Sequence, residues 1–174
     1  MPKWVIDPDH SVAAFVIRHM MVANVRGQFN KINGIIHFDP NDINNASVEV
    51  SIDANGIYTG IQKRDDHLRS PDFFDVQKCP QITFKSKKVE AGVGTRFRVI
   101  GELTIHGITK TVALDVECTG PEKSPYDETT MGFSAITRLN REDFGMTWNV
   151  ALGSGGIMVG KDVQINLDIE ADLS

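Results

Sequence analysis

The stretch DVQINLDIE, residues 162–170, sets Val163, Ile165, Leu167 and Ile169 between Asp162, Gln164, Asn166, Asp168 and Glu170. Successive side chains of a β-strand point to opposite faces, so this alternation describes a strand with one apolar and one polar face. The pattern recurs upstream. Val48, Val50 and Ile52 alternate with polar residues across Ser47–Asp53. Phe97, Val99, Leu103 and Ile105 do so around Arg96, Arg98, Glu102 and Thr104, interrupted by Ile100, and Val112, Leu114, Val116 and Cys118 follow. Less regular strands are expected at Val12–His19, Val25–Phe38 with a bend at Gly27 or Gly34, Gln81–Val89 and Met131–Leu139. HGITK joins two of these runs as a short hairpin in which Gly107 can take positive φ.

Helical spacing appears once, in Ile57–Ser70, where Ile57, Ile61 and Leu68 form a stripe and Thr59 or Asn55 can cap the start. Ser70 and Pro71 read as an N-cap and first helical position, so Pro71–Asp75 forms a short turn that presents Phe73 and Phe74. Asn140–Gly145 has the same character, with Asn140 as cap and Gly145 as stop. Eight two-faced strands pack either as a two-sheet sandwich or as a closed barrel, and periodicity leaves both open.

Composition narrows the function. The chain has 174 residues, 41% hydrophobic and 24% charged, which suits one self-sufficient domain. Its net charge of −5 argues against a nucleic-acid partner, since Lys85, Lys87 and Lys88 form the densest basic run. Cys79 and Cys118 lie outside any zinc or redox spacing, although a single bridge between them stays open. His10, His19, His37, His67 and His106 show no paired ligand spacing, so no metal and no cofactor is expected. The opening MPKWVIDPDH lacks a basic segment followed by an apolar one, and no run is long enough to span a membrane, so a cytoplasmic protein is expected. GGIMVGK, residues 155–161, has phosphate-loop spacing, but Asp162 stands where Ser or Thr is required and a strand follows where a helix is needed. A glycine-rich loop entering the last strand is the simpler reading. His10 and Ser11 are sequence neighbours whose side chains diverge, which rules them out as a base and nucleophile pair.

Six longer runs carry a resemblance: WVIDPDHSVAAFVIRHMM (4–21), VRGQFNKINGIIHFDP (25–40), RDDHLRSPDFFD (64–75), PQITFKS (80–86), GELTIHGITKTVAL (101–114) and LNREDFGM (139–146). Together, in this order, they resemble the YceI-like, polyisoprenoid-binding family from Trp4 to about Glu170. The resemblance implies an all-β fold: an extended antiparallel eight-stranded barrel, lipocalin-like, with a short helical segment capping one end and residues 1–174 as a single domain. It also implies a non-catalytic carrier for an isoprenoid or other long-chain amphiphile (polyprenyl phosphate, quinone or fatty tail), a homodimer, and a role in isoprenoid handling or stress. Many family members resemble exported proteins with a signal peptide, a feature absent from this opening.

Within that frame, Phe15, Ile17, Phe29, Ile36, Phe38 and Phe133 are expected to face the pore from strands. Phe73, Phe74, Met146, Trp148 and Met158 are expected to cover its mouth, and Arg64, His67 and Arg69 to meet a head group. Two rivals remain: an enzyme acting on a lipid or quinone in the same pocket, with His19 or His67 as general acid or base, and a barrel filled by its own side chains.

Overall fold

The computed structural model describes all of residues 1–174 as one antiparallel sheet with a single short helix. The strands are β1 (Lys3–Ile6), β2 (Val12–His19), β3 (Ala23–Phe29), β4 (Ile32–His37), β5 (Ser47–Asp53), β6 (Ile57–Tyr58), β7 (Gln81–Ala91), β8 (Arg96–Ile105), β9 (Ile108–Lys123), β10 (Thr129–Asn140) and β11 (Val159–Leu173); helix α1 covers Gln62–Arg69. Six of the strands are segments of three longer ones. β1 and β2 lie end to end along β11, with Trp4–Ile6 opposite Ala171–Leu173 and Val12–Ile17 opposite Val163–Asp168. β4 pairs with β1 and β3 with β2, then β5 pairs with β4 and β6 with β3. The result is eight strands. Because β11 pairs with β10 on its other flank, the sheet closes into a barrel. Closure decides against the sandwich and gives every strand except the short β6 a partner on both flanks.

The alternating runs face as their sequence requires. Val163, Ile165, Leu167 and Ile169 of β11 point inward, as do Val112, Leu114 and Val116 of β9. The irregular pattern in β7 has a local cause: a register shift between Ser86 and Lys88 leaves Lys87 as an extra residue, so the inward positions change from Ile82 and Phe84 to Val89. Lys85, Lys87 and Lys88 each meet a carboxylate, Glu49, Glu102 and Glu90. Between β8 and β9, His106 and Gly107 both take positive φ, forming a two-residue hairpin that matches strand twist.

Three expectations need correction. Val25–Phe38 is not bent at a glycine; it divides at Asn30 and Lys31 into β3 and β4. Gly27 instead makes room for the Phe15 ring directly across the ladder, where a Cβ would meet Phe15 Cζ at 2.3 Å. The helix begins at Gln62 rather than near Ile57, because Ile57 and Tyr58 pair with Phe29 and Gln28 as β6. Thr59 does not cap it by accepting a backbone proton; its N–H and hydroxyl both donate to buried Asp65. The strand β1 was not expected. Cys79 and Cys118 are both free, which removes the bridge, and burial pushes the Cys118 thiol up, so it packs as an apolar residue.

The two ends of the barrel differ. At the end holding both termini, Phe38 stacks on Phe97 and meets Phe133 edge to face, each at 5.3 Å between centroids, while Trp4 donates its indole N–H to Phe38 O. These buried rings form a plug. The opposite end carries α1, the turn 71–74, the 3₁₀ turn Arg141–Phe144 and the loop 145–158. No helix is long and apolar enough to cross a membrane.

Gly101 faces inward on β8, and a Cβ there would lie 2.5 Å from both Lys85 O and the Phe84 ring. Lys85 O belongs to the sheet backbone and cannot yield cheaply. Gly101→Ala is expected to lose about 1–3 kcal/mol of stability in a denaturant titration.

Candidate functional site

The barrel interior is hollow. A cavity of about 880 Å³ runs along it, near the upper end of the roughly 300–1,000 Å³ typical of small-molecule sites. Hydrophobic residues supply 40 of its 49 lining positions. Toward the helical end, inward-facing Ile17, Leu114, Leu139, Val163, Ile165 and Leu167 are only half-buried. An apolar side chain that faces the axis of a closed barrel yet stays accessible has unfilled space in front of it. That observation removes the side-chain-filled barrel. The small inward residues Ala13 and Ala135, and the absence of a Cβ at Gly101, help keep the bore wide.

Thirteen of the fourteen residues expected at the site sit in the cavity wall. Phe15, Ile17, Phe29, Ile36 and Phe38 come from β2, β3, β4 and the residue after β4, and Phe133 from β10. Phe29 joins Phe15 at 5.9 Å and Phe74 at 5.5 Å, linking the strands to the turn after α1. His67, Phe73 and Trp148 form an aromatic trio: His67 lies 5.0 Å from Phe73 and 4.7 Å from Trp148, with Phe73 and Trp148 5.5 Å apart. The trio binds α1, its following turn and the loop 145–158 into one cover, to which Met146 and Met158 add their side chains. Arg69 is the exception. Its guanidinium donates to Asn55 O, Ile57 O and Asp66, which ties α1 to the chain before it and takes the charge away from the cavity.

Polar groups in the wall gather at the mouth. Four of the five exposed lining residues, Arg18, His19, Ile61 and Lys63, lie at the helical end; the fifth, Ser47, is at the other. Arg64 stands with them and donates Nε–H to Thr59 Oγ1 and a terminal N–H to Thr59 O, both at 2.7 Å. His67 Nε2 lies 2.9 Å from Asp72 Oδ2, so the imidazole is oriented by a carboxylate.

Sequence reasoning missed Arg141, which is 3% exposed and borders the cavity. Its guanidinium donates to Gly160 O at 2.7 Å, Met146 O at 2.6 Å and Val159 O at 3.3 Å. Burial pushes this group down from the ordinary arginine value. The fork holds both ends of the loop 145–158 against β11, and only its place within the LNREDFGM run hinted at it. A second group was invisible in the spacing because its members come from opposite ends of the chain. Asp7, His10 and Glu170 bring one possible metal-ligand atom each within 4.8 Å of one another, at the junction of β1 and β2. His10 Nδ1 lies 2.7 Å from Asp7 Oδ2 and 3.7 Å from Glu170 Oε1. The hydrogen bond with Asp7 raises the His10 imidazole, and the same bond lowers the Asp7 carboxyl. Ion pairing accounts for the cluster.

Comparison with known proteins places this geometry. A family model for the YceI-like domain matches residues 4–171. The UPF0312 protein SA2479 of Staphylococcus aureus is 37% identical over 175 residues, covering 100% of this chain and 99% of its own. Among solved structures, BcnA of Burkholderia cenocepacia superposes with a TM-score of 0.82 at 26% identity, over 95% of this chain and 98% of that one. A polyisoprenoid binding domain from Saccharophagus degradans, implicated in plant cell wall breakdown, aligns over all of both chains with a TM-score of 0.71 and 15% identity, which establishes a shared fold.

Two outcomes follow from the polar groups. Arg141→Ala removes the guanidinium donor from Met146 O and Gly160 O, while Val159 O keeps Asn149 Nδ2, and is expected to cost about 2 kcal/mol or more in a denaturant titration. Arg141→Lys should recover less than half of that, because an ammonium cannot match a planar fork of diverging donors. The Asp7–His10 pair makes stability depend on pH. A raised imidazole contributes fully below its ordinary value of about 6.5 and loses that contribution as pH rises through the folded value; a lowered carboxyl contributes fully above about 3.9 and loses it as pH falls. His10→Gln should therefore lower the thermal midpoint most between those values and least in alkaline buffer.

Proposed function

Because the chain belongs to the YceI-like family, we propose that it is a binding protein which carries a long apolar tail in the barrel, without changing it. The observation that carries this reading is the half-buried apolar wall around about 880 Å³ of unfilled space. Such a wall gains from any hydrocarbon that displaces water from it, at roughly 0.8 kcal/mol per buried CH₂ before ordering costs. An isoprenoid suits it in shape, being long, narrow and apolar throughout. The fold-sharing domain from S. degradans is described as polyisoprenoid-binding, which is the same ligand class. The plugged end sets the depth a tail can reach, and Arg64, Lys63, His19 and His67 stand where a polar head would emerge.

The direct test is organic extraction of purified protein followed by mass spectrometry. Recovery of an intact long-chain amphiphile supports the carrier. Conversion of an added lipid or quinone would favour the enzyme reading, in which the Asp72-oriented His67 would act as the base.

Affinity should follow tail length. In a series of prenyl alcohols, each five-carbon unit is expected to tighten binding by less than the gross transfer value of about 4 kcal/mol, until the cavity is full. Ile165→Trp projects into the bore from β11 and should bring the plateau at a shorter chain. Titration that shows affinity independent of length in the wild type overturns the proposal.

A further inference from the structure

We propose that the helical end of the barrel docks onto an anionic lipid bilayer, so that a tail passes between membrane and cavity without crossing water. The inference rests on the carrier reading for its purpose, and on separate observations for its geometry.

Three segments meet around the mouth: the β2–β3 tip with its flanks, residues 18–26; the strand and loop leading into α1, residues 57–64; and the loop 147–161. Met20 N–H donates to Met158 O, His19 pairs with Val159, and the side chains of Met21 and Leu152 both lie over Gly156. Tyr58 pairs with Gln28 on β3, while Ile61, Lys63, Arg18 and Met158 share the cavity wall. One surface therefore contains all three.

Its composition differs from that of the rest of the chain in two ways. Asp and Glu make up 23 of the 174 residues, giving a net charge of −5, yet none falls within these segments. The same segments hold Arg18, Arg26, Lys63, Arg64 and Lys161. Only Lys161 has a carboxylate within 4.0 Å, from Glu142; the other four cations are unpaired, while Asp66 beside them is held by Arg69. Large apolar residues are also exposed here: Met20, Met21, Val22, Tyr58, Ile61 and Val150, with Val22 at 79%. Apolar side chains at a tip, on segments without Asp or Glu and beside four cations that no carboxylate pairs, complement an interface whose surface is negative and whose interior is hydrocarbon. Methionines at such a tip adapt to an irregular surface. The surface surrounds the opening of the cavity, so docking there aligns the bore with the acyl layer.

The test is co-sedimentation with vesicles, run beside titration of a short prenyl alcohol in solution. Wild-type protein should bind vesicles of phosphatidylcholine and phosphatidylglycerol in equal parts, and bind phosphatidylcholine alone much more weakly. Met21→Ser, Val22→Ser and Arg26→Glu change exposed residues outside the cavity wall. Combined, they should abolish sedimentation while leaving prenyl-alcohol affinity unchanged; Arg26→Gln alone should weaken vesicle binding about fivefold, the effect of one surface cation. If the wild type binds the alcohol but neither vesicle, or the triple variant sediments like the wild type, the docking surface is wrong and the carrier reading stands. A concentration-dependent dimer broken by Val22→Ser, without vesicle binding, would assign the tip to a second copy and likewise overturn the proposal. Salt-sensitive vesicle binding without alcohol binding would uphold the surface and defeat the carrier reading instead.

Discussion

The strand Val159–Leu173 has to satisfy two neighbours at once, and the rest of the molecule depends on its doing so. Along one flank it pairs with β10 from Asn140 back to Thr130; along the other it pairs first with β2 and then with β1. A strand with a polar row on its outer face and an apolar row on its inner face can close a sheet only if both flanks are occupied, since any free edge would expose a line of unpaired amides. The N-terminal segment supplies the missing flank. Its break at Asp7–Ser11 lets one chain follow the curvature of the long strand in two shorter pieces, with Ser11 Oγ accepting from Glu170 N–H to hold the junction. The Asp7–His10 pair sits at the same junction, so its chemistry concerns closure and not ligand.

Closure by eight strands fixes a bore that side chains fill only if enough of them are large. Here the large ones are distributed unevenly. Phe38, Phe97, Phe133 and Trp4 crowd the end that holds the termini and Phe73, Phe74 and Trp148 belong to the cover, while the bore between them is lined largely by Val, Ile and Leu that do not reach across it. The consequence is a cavity narrowed toward the termini, with a mouth at the helical end that mixes apolar side chains with Arg18, His19, Lys63 and Arg64. Its cover depends on few groups: the His67, Phe73 and Trp148 trio above, and the Arg141 fork at the base of the loop. A buried cation hydrogen-bonded only to carbonyl oxygens is costly to place, and the structure offsets that cost by using it to fix both ends of a loop that has little regular structure of its own.

What could be read in advance was whatever is encoded locally. β2 and β5 match their sequence expectations residue for residue, and Asn140 and Gly145 cap and stop the 3₁₀ turn as their side chains require. Period-2 alternation described the wall, and the named resemblance supplied closure, which alternation alone left undecided between sandwich and barrel. The failures share a different origin. Gly27 looked like a bend because a glycine in a strand has two meanings, and the Phe15 ring that selects one of them is a cross-strand partner. Ile57 looked helical because its pairing with Phe29 is likewise non-local. Arg69 was grouped with Arg64 and His67 by proximity in sequence, whereas five residues along a helix turn it toward Asn55 and Ile57 instead. Arg141 and the Asp7–His10–Glu170 group had no local signature, since their partners are backbone carbonyls or lie at the far end of the chain.

On the carrier reading, these features imply where affinity and selectivity reside. The bore offers a tail almost nothing polar, so its free energy comes from displaced water and grows with length. The cations at the mouth stay solvated, and exposed ion pairs of this kind contribute little against screening and side-chain entropy. A head group is therefore recognised weakly and a tail strongly. An empty bore leaves its half-buried apolar wall open to solvent, and anything that binds the native barrel and not the unfolded chain stabilises the fold through linkage. On this reading, binding and folding are coupled through the same apolar rows that first marked residues 162–170 as a strand, so a longer tail stabilises the fold together with the complex.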